Sequence, residues 1–253
     1  MDLGLQDRVY VVTGGSRGLG RACADALVAE GARVVVAARD ADAVRRAAEE
    51  LGTENAAGVA ADNADPAAPA RLIATARERF GRVDGALISV GGPPGGATAD
   101  ITDDQWHAAF DSVFLGAVRI ATEVAAAVGD GGSLAFILSS SVRVPLPGLA
   151  ISNGLRPGLA GVAKTMANEL GPRGIRVNTL IPGSIATDRL RELATMKGQD
   201  YDEVRRKSEA RIPLGRYGDP AEMGRVAAFV LSPAASYVTG STINVDGGII
   251  PAI

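Results

Sequence analysis

Residues 13–20 read Thr-Gly-Gly-Ser-Arg-Gly-Leu-Gly and follow directly on an apolar run at 9–12. A strand that ends in a glycine-rich turn and feeds a helix aims free backbone N–H groups and the positive end of the helix dipole at one spot. That is what holding a pyrophosphate requires. The spaced glycines divide the task. Gly14 permits the tight turn, Gly18 lets the backbone approach phosphates, and Gly20 lets the new helix pack closely. Ser16, Arg17 and Leu19 complete the loop and are candidate contacts of the same group.

The rest of the chain repeats the strand-then-helix theme. Short β-rich runs at 9–12, 33–37, 57–61, 85–90, 133–138, 176–180 and 242–245 predict strands. Helical patterns lie between them at 21–30, 42–51, 67–80, 103–128, 155–170 and 221–231. Asp103 is the expected N-cap of the longest, and Leu155, Leu159, Val162, Met166 and Leu170 form one buried stripe on the next. The alanine-rich stretch 55–70 is expected as surface helix and loop. Strand-helix-strand order implies an α/β fold, a single doubly wound parallel sheet with helices on both faces. Ligands then bind beyond the carboxyl ends of the strands, at the switch point.

Composition narrows the function classes. Hydrophobic residues make up 47% and charged residues 22% of 253, enough for a substantial core. No linker divides the chain, so residues 1–253 are expected to form one domain. With a net charge of −3 and no Lys/Arg stripe, a nucleic-acid partner is not expected. Cys23 and His107 are the only residues of their kinds, which leaves neither a disulfide framework nor a Cys/His metal site. Residues 1–12 lack a signal-peptide core and no apolar stretch is long enough to span a bilayer, so a soluble, cytoplasmic protein is expected.

The glycine loop, Asp62 with Asn63 at the third strand's end, Pro182-Gly183 followed by Thr187, and the closing run from Tyr237 to Gly248 together resemble the short-chain dehydrogenase/reductase family, 3-oxoacyl-ACP reductases in particular. The resemblance covers essentially the whole chain. It implies a Rossmann domain that binds NAD or NADP, hydride transfer to a small-molecule substrate, and a homotetramer. It also implies adenine contact by Asp62, nicotinamide contacts by Ile185 and Thr187, and a cofactor-side position for Gly91. The segment at about 188–212 covers the substrate in such proteins. Charge at the end of the second strand sets the cofactor choice. A carboxylate at the end of the second strand bonds a ribose 2′-hydroxyl, whereas a 2′-phosphate needs cations. Here that strand ends in Arg39, Arg17 offers a second guanidinium, and Asp40 is expected to begin the next helix. NADP(H) is therefore expected in preference to NAD(H).

The departures from the family pattern are as informative. Aligning 157–170 with the family's helix puts Ser152 at its tyrosine and Arg156 at its lysine. The family serine falls at Ser139, with Ser140 and Ser141 beside it. Val113 stands where a helix asparagine is usual, and Ser-Val-Gly-Gly at 89–92 replaces Asn-Asn-Ala-Gly. A serine hydroxyl lacks a tyrosine's acidity, and an arginine stays protonated, so it stabilises an oxyanion but does not release a proton. Ser139, Ser152 and Arg156 are thus expected to clamp an oxygen. The proton would come from water, the substrate, or Tyr201. Hydride addition to an enone tolerates the missing tyrosine, because its enolate is stabilised on oxygen and protonated on carbon. Arg143 is either a substrate-anion ligand or solvated, and 93–96 either shape the cleft or form a stiff loop. Trp106 is expected in core or interface and His107 in solvent. Two functions follow: an NADP(H)-dependent reductase of a carbonyl or conjugated carbonyl, or a catalytically silent NADP(H)-binding sensor or oligomeric partner.

Overall fold

The computed structural model describes residues 1–196 and 198–252, those at 189, 193 and 196 by their backbone alone. Seven strands, β1 (Val9–Thr13), β2 (Arg33–Ala38), β3 (Ala56–Ala60), β4 (Gly85–Ser89), β5 (Ser133–Ile137), β6 (Arg176–Pro182) and β7 (Thr242–Val245), form one sheet in the order β3-β2-β1-β4-β5-β6-β7. Every pairing is parallel. All carboxyl ends therefore lie along one edge. The strand order reverses between β1 and β4, where the crevice of a doubly wound fold opens.

Alternation along the strands divides the interior into two cores. Val9, Val11, Val35, Ile88 and Phe136 face one side. There they meet α3 (Ala68–Phe80), α5 (Gly116–Ala127) and α6 (Ala150–Leu170). Tyr10, Val12, Val34, Leu87 and Leu180 face the other. They meet α1 (Gly18–Ala29), α2 (Ala41–Glu50) and α9 (Pro220–Leu231). Burial on both faces is why these strands read as continuous apolar runs. Arg176, polar yet buried, caps the carboxyl end of α9 by donating to the carbonyls of Val230, Leu231, Ser232 and Val238 at 2.7–3.3 Å.

Several expected boundaries move. The long helix expected at 103–128 is instead α4 (Asp103–Ala109), a π-helical turn at Phe110–Leu115, and α5. Its N-cap is Thr102 rather than Asp103. Thr102 accepts from the Gln105 amide, and the Gln105 side chain accepts from the Thr102 amide. Helix α6 begins five residues before the expected start and carries Pro157 inside it. Its buried stripe includes Ser152 and Arg156 together with Leu159 and Met166, while Leu155, Val162 and Leu170 are only partly buried. The alanine-rich stretch is not simply surface, because Ala56, Ala57, Ala61 and Ala68 are buried around β3. Small side chains there let an edge strand sit under two helices. Two short helices, α7 (Asp188–Met196) and α8 (Tyr201–Glu209), lie in the segment expected to cover substrate. No helix among the described residues is long and apolar enough to cross a membrane.

Candidate active site

The glycine loop links β1 to α1, and its backbone explains each glycine separately. Gly14 has φ +60°, and a Cβ there would come within 2.9 Å of the Ser89 carbonyl oxygen. A Cβ on Gly20 would run into the carbonyl of Gly14. Gly18 has φ +59° with nothing within 4 Å of its missing Cβ. Two glycines are thus tight against the fold, and the third faces open space beside the amino end of α1. This is a cradle that fits a pyrophosphate. Gly91, beyond the end of β4, likewise faces open space.

Three supports escaped the sequence reading. Gly15 donates its amide to Ala37 at 3.1 Å, and a Cβ on it would press on Val12 and Val36. Thr13 Oγ1 donates to the Ser89 carbonyl at 2.9 Å and accepts from the Ser89 amide at 3.0 Å. This laces β1 to β4 at the point where the strand order reverses. Gly116 lets the backbone of Asn63 lie on α5, because a Cβ would collide with the Asn63 carbonyl.

Other expected cofactor residues lie along the same edge of the sheet. Arg39 is exposed just past β2. Asp40 caps α2, accepting from the Ala43 amide at 3.0 Å, as expected of a residue that begins the next helix. Asp62 accepts from the Ala64 amide at 2.9 Å. Leu19 packs against the α1 side of the sheet, so what it offers a ligand is backbone. Pro182 ends β6, and Gly183 is needed because a Cβ would lie 2.6 Å from Asp246 Cα. Ile185 is buried and bridges to Gly218. The Thr187 carbonyl accepts from the Leu190 amide as α7 begins. Arg17 forms an ion pair with α7. Its Nη1 is 2.9 Å from Glu192 Oε1 on α7.

At the middle of the sheet edge stands Arg156. It is buried, and its guanidinium reaches between β4 and β5, donating to the Gly91 carbonyl at 3.3 Å and to the Ile137 carbonyl at 3.4 Å. Burial alone pushes it down to about 10, with no carboxylate among the described residues bonded to it. A guanidinium so placed remains charged at neutral pH and attracts an anion. Ser152, one turn earlier on the same helix face, is buried too. Its Oγ lies 3.1 Å from Ser141 Oγ, and Ser141 also donates to the Ser152 carbonyl at 3.4 Å. Ser139 does not join that pair. Its Oγ accepts from the Ser141 amide at 3.2 Å, setting the turn that aims Ser141 inward.

Val113 is buried within the π-helical turn, and the helix irregularity falls at that site although the expected asparagine is absent. Trp106 packs its ring against Gly154 of α6, and Phe114 packs against Gly158. His107 and Arg143 are exposed. Tyr201 is engaged within the segment at 188–212. Its ring lies under the Arg191 guanidinium at 4.7 Å.

Residues 93–96 do more than stiffen a loop. Gly96 donates to Gly148 at 2.8 Å and accepts from Ala150 at 3.2 Å, zipping two Gly/Pro segments together. Asn153 secures the second segment by bonding both the amide and the carbonyl of Leu146 at 2.9 Å. The two segments line an open cleft of about 380 Å³, together with Ala150 and Asn153. Nothing in the sequence singles out Asn153 beyond its place beside Ser152.

Comparison with known proteins agrees with this geometry. The family model described as enoyl-(acyl carrier protein) reductase matches residues 14–250. The short-chain reductase protein NovJ of Streptomyces niveus is 34% identical, with 96% of this chain and 94% of that one covered. The chain belongs to the short-chain dehydrogenase/reductase family. It is 31% identical to the 3-oxoacyl-[acyl-carrier-protein] reductase FabG of Salmonella typhimurium, over 98% of this chain and 99% of that one. The solved L-sorbose reductase of Gluconobacter frateurii, complexed with NADPH and L-sorbose, has a TM-score of 0.91 at 28% identity, with both chains fully covered. Membership makes this chain an oxidoreductase of the nicotinamide-dependent kind.

Proposed function

We propose that this short-chain reductase uses NADP(H) to reduce a carbonyl or conjugated carbonyl of a small organic molecule, with Arg156 and Ser152 in place of the family's lysine and tyrosine. The observation that carries the reading is Arg156, a buried cation at the meeting of β4 and β5 with no bonded carboxylate among the described residues. Gly14, Ser16, Arg17, Gly18, Leu19 and Gly20 would hold the pyrophosphate side of the cofactor. Arg39 and Arg17 would receive the 2′-phosphate, Asp62 and Asn63 the adenine, and Gly91, Pro182, Gly183, Ile185 and Thr187 the nicotinamide side. When bound, the cofactor supplies a hydride to a substrate carbon.

The residues of the chain then meet the charge that appears on the substrate oxygen. Arg156 donates to it from a site where water does not screen the charge. Ser152 adds a hydroxyl donor by turning its proton from Ser141 Oγ to that oxygen. Ser139 orders the turn that carries Ser141. None of these groups releases a proton readily near neutrality. Reduction of an enone suits them best, because the enolate needs stabilisation on oxygen and takes its proton on carbon from water. Residues 188–212 would cover the substrate as part of a single domain spanning 1–253. The working form would be a cytoplasmic homotetramer, and a stable monomer in light scattering at micromolar concentration would remove that part.

A second reading is favoured by one observation. Tyr201 is stacked under Arg191, and no acidic or basic side chain bonds Ser139, Ser141 or Ser152 among the described residues. A protein that binds NADP(H) without turnover, as a sensor or oligomeric partner, would look the same. A panel of ketones and enones, followed by nicotinamide absorbance, separates the two. Turnover of enones supports the reductase, and binding without turnover across the panel supports the silent protein.

A further inference from the structure

Arg17 belongs to the phosphate loop and Glu192 to α7, and they are 175 residues apart in sequence. Their 2.9 Å ion pair joins the glycine loop to the segment on the substrate side. Both side chains keep access to solvent, Arg17 at 73% and Glu192 at 39%, so an incoming anion can reach the guanidinium. A carboxylate and a phosphate are alternative partners for one guanidinium fork, and the phosphate carries more charge and more acceptor oxygens. Cofactor binding also brings negative charge toward Glu192 itself. The two effects have the same sign.

We propose that the Arg17–Glu192 pair is a latch, and that the 2′-phosphate of NADPH competes with Glu192 for Arg17. The latch sets how far NADPH is preferred over NADH and releases α7 from the glycine loop when NADPH binds. This rests on the reading of Arg17 as a 2′-phosphate ligand. Glu192 is then a specificity-determining residue that acts through Arg17. Its negative charge holds down affinity for the phosphorylated cofactor, so removing that charge raises the affinity.

The test is a double-mutant cycle on the full chain. NADPH and NADH titrations would use the native protein, Glu192→Gln, Arg17→Met and the double variant, with circular dichroism to check folding. An exposed pair of this kind gives an expected 2- to 5-fold tightening of NADPH in Glu192→Gln. The gain in NADPH over NADH should vanish in the Arg17→Met background and shrink in 0.5 M salt. If Arg17→Met weakens NADPH selectively while Glu192→Gln leaves the NADPH/NADH ratio unchanged, the latch is wrong and the cofactor reading stands. If Arg17→Met changes neither cofactor, the phosphate role of Arg17 fails and the latch falls with it.

Discussion

Replacing Arg156 by methionine should make the protein more stable and less active at once. The guanidinium is held in the interior by two long bonds to carbonyls, at 3.3 and 3.4 Å, with burial as the only cause of its shift. Its depression to about 10 corresponds to roughly 3 kcal/mol of unfavourable burial of the cation. Losing the two long bonds returns about 1 kcal/mol of that gain. The net expectation is about 2 kcal/mol of added stability, or roughly 4–8 °C in Tm for a chain of this size. The sign with pH is fixed. A base whose folded value lies below its ordinary one destabilises the fold fully while charged, and relieves it only as pH rises through about 10. The advantage of Arg156→Met should therefore be constant from pH 6 to 9. Urea unfolding of the apoprotein measures it, and kcat on an enone measures the expected loss of about 100-fold, the scale of removing an oxyanion donor. A variant that is less stable than the native protein would mean that Arg156 is a structural tie between β4, β5 and α6, and would refute the reasoning.

Three further outcomes are expected. Arg39→Asp should weaken NADPH by about 10-fold or more and leave NADH little changed, since the reversed charge faces only the 2′-phosphate; calorimetric titration with both cofactors checks it. Gly18→Ala should fold at a cost of about 1–2 kcal/mol for its left-handed backbone yet lose cofactor affinity, whereas Gly20→Ala should fail to fold stably because its methyl meets the Gly14 carbonyl; thermal melts and NADPH titration distinguish them. Glu222, chelated by Arg216 and bonded to the Asp219 amide, is held down to about 2. What it adds to the cap of α9 is present above its ordinary carboxylate range and is lost as pH falls toward 2, so Glu222→Gln should be less stable than the native protein at pH 7, with the difference vanishing as pH falls toward 2; thermal melts across that range check it.

The sheet and the phosphate loop were legible because their causes are local. Doubly buried strands show as apolar runs, and Gly14, Gly18 and Gly20 sit where the turn, the open cradle and the close packing each demand a glycine. What the sequence hid depends on contacts between distant segments. The π-helical turn at Phe110–Leu115 leaves no mark in a helical pattern that continues through it. Choosing among the serines needed the turn after β5, which points Ser141 at Ser152 and leaves Ser139 to cap it. The early start of α6 was obscured by Pro157, which reads as a first-turn residue but lies inside the helix. Arg17 was expected to face a phosphate, and its carboxylate partner 175 residues away has no sequence signature.

The most direct measurement is NADPH binding by titration calorimetry, followed in the same samples by nicotinamide absorbance with matched ketones and enones. Tight NADPH binding with turnover of enones is the result expected of a reductase whose oxygen clamp is Arg156 and Ser152. Absence of NADPH binding would contradict the account at its root, because the cradle around Gly18 would then have no occupant.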